Sequence, residues 1–282
     1  HLDPDLFRAS VISTSVRTGF SATLIEKDYL CSVLLDHVRE SSGRQMVFKG
    51  GTCLAKVYFD FYRLSEDLDF VIPMPIKSTR AERSERARVL KKIVSDLPKA
   101  QPIFRIESPV EGRNESRQYL ATIAYASLVD GRPNTIQLEI GLREPLLAKP
   151  IEGQAKTVLR NAAAPETQLL PIPFPCLSFK EAMAEKFRAA LTRPVVAIRD
   201  FYDIDYAVHR HDLEPEADDF LEMVREKIAV PGNDEPDFSA ERLSILDDQL
   251  ETRLKPVLRD EDLERFDLRR PVAVVKNVGS MI

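Results

Sequence analysis

Apolar residues recur at three- and four-residue steps early in the chain. Leu24, Ile25, Leu30, Val33, Leu34 and Val38 form one stripe, and Ser21 stands where a helix cap belongs. Met46-Val47-Phe48 is a short apolar run that predicts a strand ending at Gly50-Gly51, after which Thr52 opens a short helix with Leu54, Val57 and Tyr58 on one side. A second strand is expected from Leu68 to Ile72, stopped by Pro73 and Pro75. Thr79 to Leu97 reads as one strongly charged helix whose buried side is Val89, Leu90, Ile93, Val94 and Leu97. Three strand-like runs follow, at 103–110, 119–129 and 135–142. The last alternates cleanly, with Ile136, Leu138 and Ile140 opposite Gln137, Glu139 and Gly141. Asp130-Gly131 is a turn signal that pairs the second and third runs as a hairpin.

Pro145 to Pro175 reads as a Pro- and Ala-rich loop and is the expected domain boundary. From Phe179 the periodicity is helical almost to the end. Ser178 with Glu181 offers a capping box, and further helices are expected over 199–208, 215–228 and 240–257. The expected class is α+β: a mixed sheet with flanking helices over residues 1–150, then a mainly helical bundle over 151–282.

Composition narrows the function classes. The formal net charge of −5 argues against duplex binding driven by overall charge, while Arg80, Arg83, Arg86, Arg88, Lys91 and Lys92 leave room for a local basic surface. The competing reading of that segment is an ordinary solvated helix with pairs such as Glu82 with Arg86. Cys31, Cys53 and Cys176 lie far apart, with no CxxC pair, which speaks against a zinc site or a disulfide framework and suits a reducing cytoplasm. No long apolar run predicts a membrane span, and the opening His1-Leu2-Asp3-Pro4 does not read as a secretory leader.

The chemistry concentrates between Lys49 and Phe70. Two glycines at a strand end followed by a hydroxyl residue let the backbone approach an anion at a helix start. Asp67 and Asp69, two apart on the expected strand, point their carboxylates from one face. Two hard oxygen ligands beside a phosphate-binding turn suit Mg²⁺ with a nucleoside triphosphate. Glu139, an acid on an otherwise apolar strand, is the candidate third acid, as metal ligand or base. His209 and His211 flank Arg210 in a charged helix end and read as solvent-facing. Glu26, Lys27 and Asp28 read as braces of the fold or site. Arg63 and Arg143 are candidates for phosphate or RNA contacts or for ion pairs.

KGGTCLAKVYFDFYRLSEDLDF (Lys49 to Phe70) resembles the signature of the AbiEii/AbiGii toxin family, a branch of the DNA polymerase β-like nucleotidyltransferases. EKDYL (Glu26 to Leu30), AEKFRAALTR (Ala184 to Arg193) and RDFYDIDY (Arg199 to Tyr206) extend the resemblance over about residues 20 to 210. It implies that Gly50, Gly51 and Thr52 hold the triphosphate, with Thr in place of the commoner Ser. It implies that Asp67 and Asp69 bind Mg²⁺ and that Ser65 is the serine just before them. Lys186 takes the lysine that contacts nucleotide phosphates, and Asp203, or Asp200 beside it, the acid of the following helix. On the residues alone, Lys186 flanks an apolar stripe as a solvated or snorkelling side chain, and Asp200 could be a helix N-terminal charge. The family's C-terminal acidic motif has no clear counterpart here.

The function implied is a toxin of a bacterial toxin–antitoxin pair that transfers a nucleotide from an NTP to RNA, at the acceptor end of tRNA, with a cognate antitoxin as partner. Competing readings are transfer to a protein or small-molecule acceptor, and a nucleotide- or antitoxin-binding module without catalysis. The paired carboxylates argue against the last, since a dead site gains nothing from adjacent like charges.

Overall fold

The computed structural model describes residues 1–42, 44–163 and 169–282. The chain divides into two compact units, His1–Leu177 and Ser178–Ile282.

The first unit is built on a seven-stranded mixed sheet in the order β3-β4-β5-β2-β1-β7-β6. Its strands are β1 (Val47–Lys49), β2 (Leu68–Val71), β3 (Phe104–Arg113), β4 (Gln118–Ala126), β5 (Pro133–Gly141), β6 (Ile151–Ala155) and β7 (Ile172–Cys176). The expected β4–β5 hairpin forms, closed by a bond from Gly131 N to Ser127 O. β5 runs parallel to β2, β2 antiparallel to β1, and β1 parallel to β7. Alternation on β5 decides its faces: Ile136, Leu138 and Ile140 are fully buried and Glu139 is half-buried. Phe48, Phe70 and Phe174 from three strands meet with ring centroids 5.5 to 6.0 Å apart. They share a core with Leu30, Leu34 and Val38 of the long helix α2 (Ala22–Ser42) and with Ile93 and Leu97 of α5 (Arg88–Ala100). Each such side chain stabilises the fold by roughly 1.5–3 kcal/mol on burial.

Two expectations change. The segment 145–175 carries two strands, and β6 pairs with β7 from Ile151↔Cys176 to Ala155↔Ile172, so these residues extend the sheet of the first unit. The compact units therefore part at Leu177/Ser178, later than the expected 150/151; positions 164–168 of that segment lie outside the described residues. The single helix expected over 79–97 is two, α4 (Arg80–Arg86) and α5. Thr79 and Glu82 form a capping box at the start of α4, which occupies Glu82 locally, while Arg83 is buried and donates to the carbonyls of Ser78 and Glu115.

α1 (Pro4–Thr18) starts at an Asp3 cap that accepts from Leu6 N, and it ends at Gly19 in the left-handed region. The short helix α3 (Gly50–Cys53) continues into a π-helical turn, Leu54–Tyr58. Lys56 on that turn is fully buried and donates to the Asp28 carboxylate (2.5 Å), the Asp28 carbonyl (3.0 Å) and Ser32 Oγ (2.9 Å). The other Asp28 oxygen accepts from Thr157 Oγ1 (2.8 Å) and Val158 N (3.0 Å). Burial pushes the Cys31 thiol up to about 12 and raises Cys53 well above its ordinary range, so both stay neutral inside the core; Cys176 is buried and reduced as well.

The second unit is helical: α6 (Phe179–Thr192), α7 (Ile198–Arg210), α8 (Asp218–Ile228), α9 (Ala240–Gln249), α10 (Asp260–Arg265) and α11 (Arg269–Met281). Ser178 caps α6 by accepting from Glu181 N. The expected helix over 240–257 is α9 followed by a π turn and a 3₁₀ turn. Phe187 of α6 packs edge-on against Phe220 of α8 at 5.3 Å. Among the described residues, no helix is long and apolar enough to cross a membrane.

Removing one partner of a dry ion pair strands the other. Lys56→Ala should cost about 3–5 kcal/mol by that rule, read from urea unfolding midpoints; a loss under about 1 kcal/mol, the value of an exposed pair, would show that water reaches Asp28.

Candidate active site

Asp69 lies inside β2, and its neighbours across the sheet are Lys49 on β1 and Glu139 on β5. Direct cross-strand partners share a face. Lys49, Asp69 and Glu139 therefore stand abreast on one face, all half-buried, while Phe48, Leu68, Phe70, Leu138 and Ile140 fill the opposite side. A cation beside two carboxylates reduces their mutual repulsion. Asp67 sits one residue ahead of β2. One of its carboxylate oxygens accepts from Gln137 N at 3.1 Å, which ties it to β5.

The glycine turn is shaped by what touches it. Gly50 has φ +75°, and a Cβ there would collide with the Asp69 carboxylate. A Cβ on Gly51 would collide with the Arg63 guanidinium and crowd Ser65 Oγ at 3.2 Å. Both positions need glycine because acid and arginine already fill the space a side chain would take. Thr52 is buried and its hydroxyl donates to the Asp67 carbonyl, so turn and acidic strand are bonded to each other. The chain returns from the π turn to β2 through Asp60 and Phe61, both left-handed at φ 47° and 63°. Non-glycine residues in that region are uncommon and cluster at functional sites, as do π-helical insertions.

Three consecutive residues of α2 brace this arrangement. Glu26 accepts from Ser127 Oγ (2.5 Å) and Leu128 N (2.6 Å), Lys27 pairs with Glu66 at 3.2 Å, and Asp28 holds Lys56. Glu66 directly precedes Asp67. Glu26 and Asp28 are buried to 1% exposure or less, the burial expected of braces.

In the second unit, Lys186 of α6 pairs with Asp200 (2.7 Å) and Asp203 (2.8 Å) of α7, and Arg193 adds a second contact to Asp200 at 3.1 Å. The lysine is nearly buried, unlike the solvated side chain that its place beside an apolar stripe suggested. Burial pushes the Asp200 carboxyl up, but Lys186 and Arg193 outweigh it and hold the group below the ordinary carboxylate range. Such a group contributes stability above its unfolded pKa of about 3.9, and the contribution is lost as pH falls through the lower folded value. His209 pairs with Asp205 at 3.2 Å and His211 lies against the Phe179 and Tyr206 rings; both are exposed, as a charged helix end suggested. Arg143 pairs with Glu144 at 3.2 Å.

The sequence pointed to Asp67, Asp69, Glu139, Gly50, Gly51, Thr52 and Ser65. In the first unit Asp69 has Glu139 as its strand neighbour and lies against Gly50, Thr52 bonds to Asp67 and Ser65 lies beside Gly51. Among the described residues, however, Asp67, Asp69 and Glu139 do not converge as the three-acid metal set expected. Lys186, Asp200 and Asp203 assemble in the second unit. Lys49 and the Gln137 amide were not foreseen: Lys49 is placed by strand register alone, and a backbone amide leaves no mark in a sequence. Arg63 turns out to be buried, 5.4 Å from the Tyr62 ring centroid, and packed under Gly51.

The sequence model of the family "Nucleotidyl transferase AbiEii toxin, Type IV TA system" matches residues 33–270. No curated protein matches the chain. Solved structures that share its fold include two from one bacterium. One is JHP933 from Helicobacter pylori, with TM-score 0.51, 16% identity, and 93% of this chain and 92% of that one covered. The other, also from H. pylori and provisionally assigned as a nucleotidyltransferase, has TM-score 0.51, 15% identity, and 93% and 95% covered.

Gly50→Ala should strain the turn by roughly 1–2 kcal/mol and displace the Asp69 carboxylate. The expected result is a modest fall in melting temperature with loss of nucleotide binding in calorimetry; unchanged binding would show that the turn does not shape the site. Lys186→Met should lower stability at neutral pH, and its deficit against the parent should narrow as pH falls below the ordinary carboxylate range and the parent loses the Asp200 contribution. A deficit that widens on acidification would contradict the pairing.

Proposed function

The chain belongs to the AbiEii nucleotidyltransferase toxin family of type IV toxin–antitoxin systems, and from that premise we propose that it transfers a nucleoside monophosphate from an NTP to the acceptor end of a tRNA, blocking translation. The observation that carries this reading is the register that sets Lys49, Asp69 and Glu139 abreast with Gly50 seated against Asp69. The family implies an antitoxin partner and a nucleotide substrate.

Asp67 and Asp69 are the residues that would hold Mg²⁺. Mg²⁺ takes one or two carboxylates and completes its shell with water and substrate phosphates. Among the described residues, no three His, Cys, Asp or Glu side chains converge as a ready-made ion cage. Two carboxylates beside a glycine turn suit an ion that arrives with its triphosphate better than one caged by protein alone. When bound, the ion supplies charge stabilisation at the attacking and leaving oxygens.

The chain's own groups divide the remaining work. The Gly50-Gly51 backbone approaches the triphosphate, and Thr52 locks that turn to the acidic strand. Lys186, oriented by Asp200 and Asp203, keeps the phosphate-contacting role that the resemblance gives it. Glu139 accepts the proton of the attacking hydroxyl. The hydroxyl oxygen forms a bond to the α-phosphorus as the bond from that phosphorus to the bridging oxygen breaks in line, and pyrophosphate leaves. NTPs and tRNA place the reaction in the cytoplasm.

Purified protein incubated with Mg²⁺, total bacterial tRNA and each α-labelled NTP in turn should label tRNA with one nucleotide. Asp69→Ala should reduce labelling by at least about 100-fold, the effect of losing several kcal/mol of transition-state stabilisation. Label on protein would move the acceptor to a protein. No labelling together with no NTP binding would overturn the enzymatic reading.

A further inference from the structure

Helix α7 carries charge on two sides. Asp200 and Asp203 face Lys186; at about 100° per residue, Tyr202, Asp205, Tyr206 and His209 project from the other side. There, between α7 and the chain from Asp262 to Arg270, lies an open cleft of about 380 Å³, within the size range of small-ligand pockets.

Its lining is aromatic and basic. Phe266 is half-buried and is held edge-on by the buried Tyr202 ring at 5.3 Å, and Tyr206 is half-buried beside it in the lining. The two carboxylates are already engaged. Asp205 accepts from Arg270 at 3.2 and 2.8 Å and pairs with His209, while Asp262 takes Arg259 at 2.5 Å. Arg210 pairs with no carboxylate among the described residues. The Arg265 guanidinium pairs, among the described residues, with the exposed Glu261 alone, at 3.6 Å, a weak contact that a ligand can displace. Two exposed guanidinium groups therefore border an aromatic floor.

Aromatic faces stack on any nucleobase, and arginine recognises phosphate. We propose that this cleft binds a nucleoside monophosphate unit, with the base against Tyr206 and Phe266 and the phosphate at Arg210 and Arg265. The unit can be a free nucleotide or the terminal nucleotide of an RNA. Assigning it to RNA rests on the nucleotidyltransferase reading above, whereas the binding chemistry does not.

The test is calorimetry on the full chain without Mg²⁺. The probes are each of the four nucleoside 5′-monophosphates, a single-stranded RNA tetranucleotide and an oligoglutamate peptide. Both arginines are exposed, so Arg210→Ala with Arg265→Ala should keep the parental melting temperature, and nucleotide affinity should fall at least tenfold. Asp69→Ala should leave that affinity unchanged. A tetranucleotide that binds more tightly than any mononucleotide identifies an RNA end as the source; equal affinity identifies the free nucleotide. The proposal is overturned if no nucleotide probe binds, if the arginine pair makes no difference, or if Asp69→Ala alone removes binding. It is equally overturned if the peptide binds through these arginines and nucleotides do not. Because no turnover is read, failure of the transfer reaction leaves this result interpretable.

Discussion

A carboxylate buried to the depth of Asp28 is unfavourable by several kcal/mol unless its surroundings replace the lost water. Here the replacement is complete: Lys56, Thr157 and the Val158 amide together supply a cation and hydrogen bonds on both oxygens. The three partners come from the π turn and from the segment that follows β6, so satisfying one acid fixes the path of two distant stretches. Lys56 lies only a few residues after the Gly50-Gly51 turn. Its anchor therefore sets where that turn meets the sheet, and the Gly50 contact with Asp69 depends on it. Glu26 and Lys27, on the same helix turn, point elsewhere because successive helical residues diverge by about 100°. One fixes the Ser127–Leu128 corner that precedes β5, the other fixes Glu66 ahead of Asp67. A single turn of α2 thus positions the turn and the two acidic strands.

What that bracing protects is a crowded arrangement. Asp69 and Arg63 occupy the volume that side chains at 50 and 51 would fill. The missing Cβ atoms let the Asp69 carboxylate and the Arg63 guanidinium pack directly against the turn backbone, and each is held close because nothing else fits. Like charges at 67, 69 and 139 repel one another if left alone. Lys49 in register with Asp69, and the Gln137 amide on Asp67, supply the opposing positive potential.

Much of this was legible in the sequence, for local reasons. β5 shows its faces by alternation, the β4–β5 hairpin by Asp130-Gly131, and the acid pair and glycine turn by their spacing. β6 and β7 were hidden because IEGQA and IPFPC read as loop: prolines cannot donate to a ladder, and glycine weakens a strand. They become strands through partners, β7 beside β1 and β6 beside β7, which is tertiary information. The break between α4 and α5 at Ala87 leaves no Gly or Pro to announce it. Lys49 was passed over because a lysine at a strand end is ordinary until register sets an aspartate opposite it. The burial of Arg63 likewise follows from a close approach that only the folded chain defines.

The second unit shows why a motif match and a packing role are not alternatives. Glu181 and Lys227 are buried and pair at 2.7 Å, with Glu185 at 3.3 Å, a cluster that joins α6 to α8. The Lys186 cluster joins α6 to α7 in the same way. Pairs of this kind contribute little net stability over apolar packing, but each permits few geometries, so they fix the helix–helix arrangement that apolar stripes leave loose. A lysine held between two aspartates is oriented before any ligand arrives, and pre-organisation of that sort lowers the entropic cost of binding. The other side of α7 differs in one respect that matters: its ion pairs consume the acids and leave two arginines beside aromatic rings. Dry, saturated charge builds the helix bundle, and charge left at an open aromatic surface is what a ligand can use.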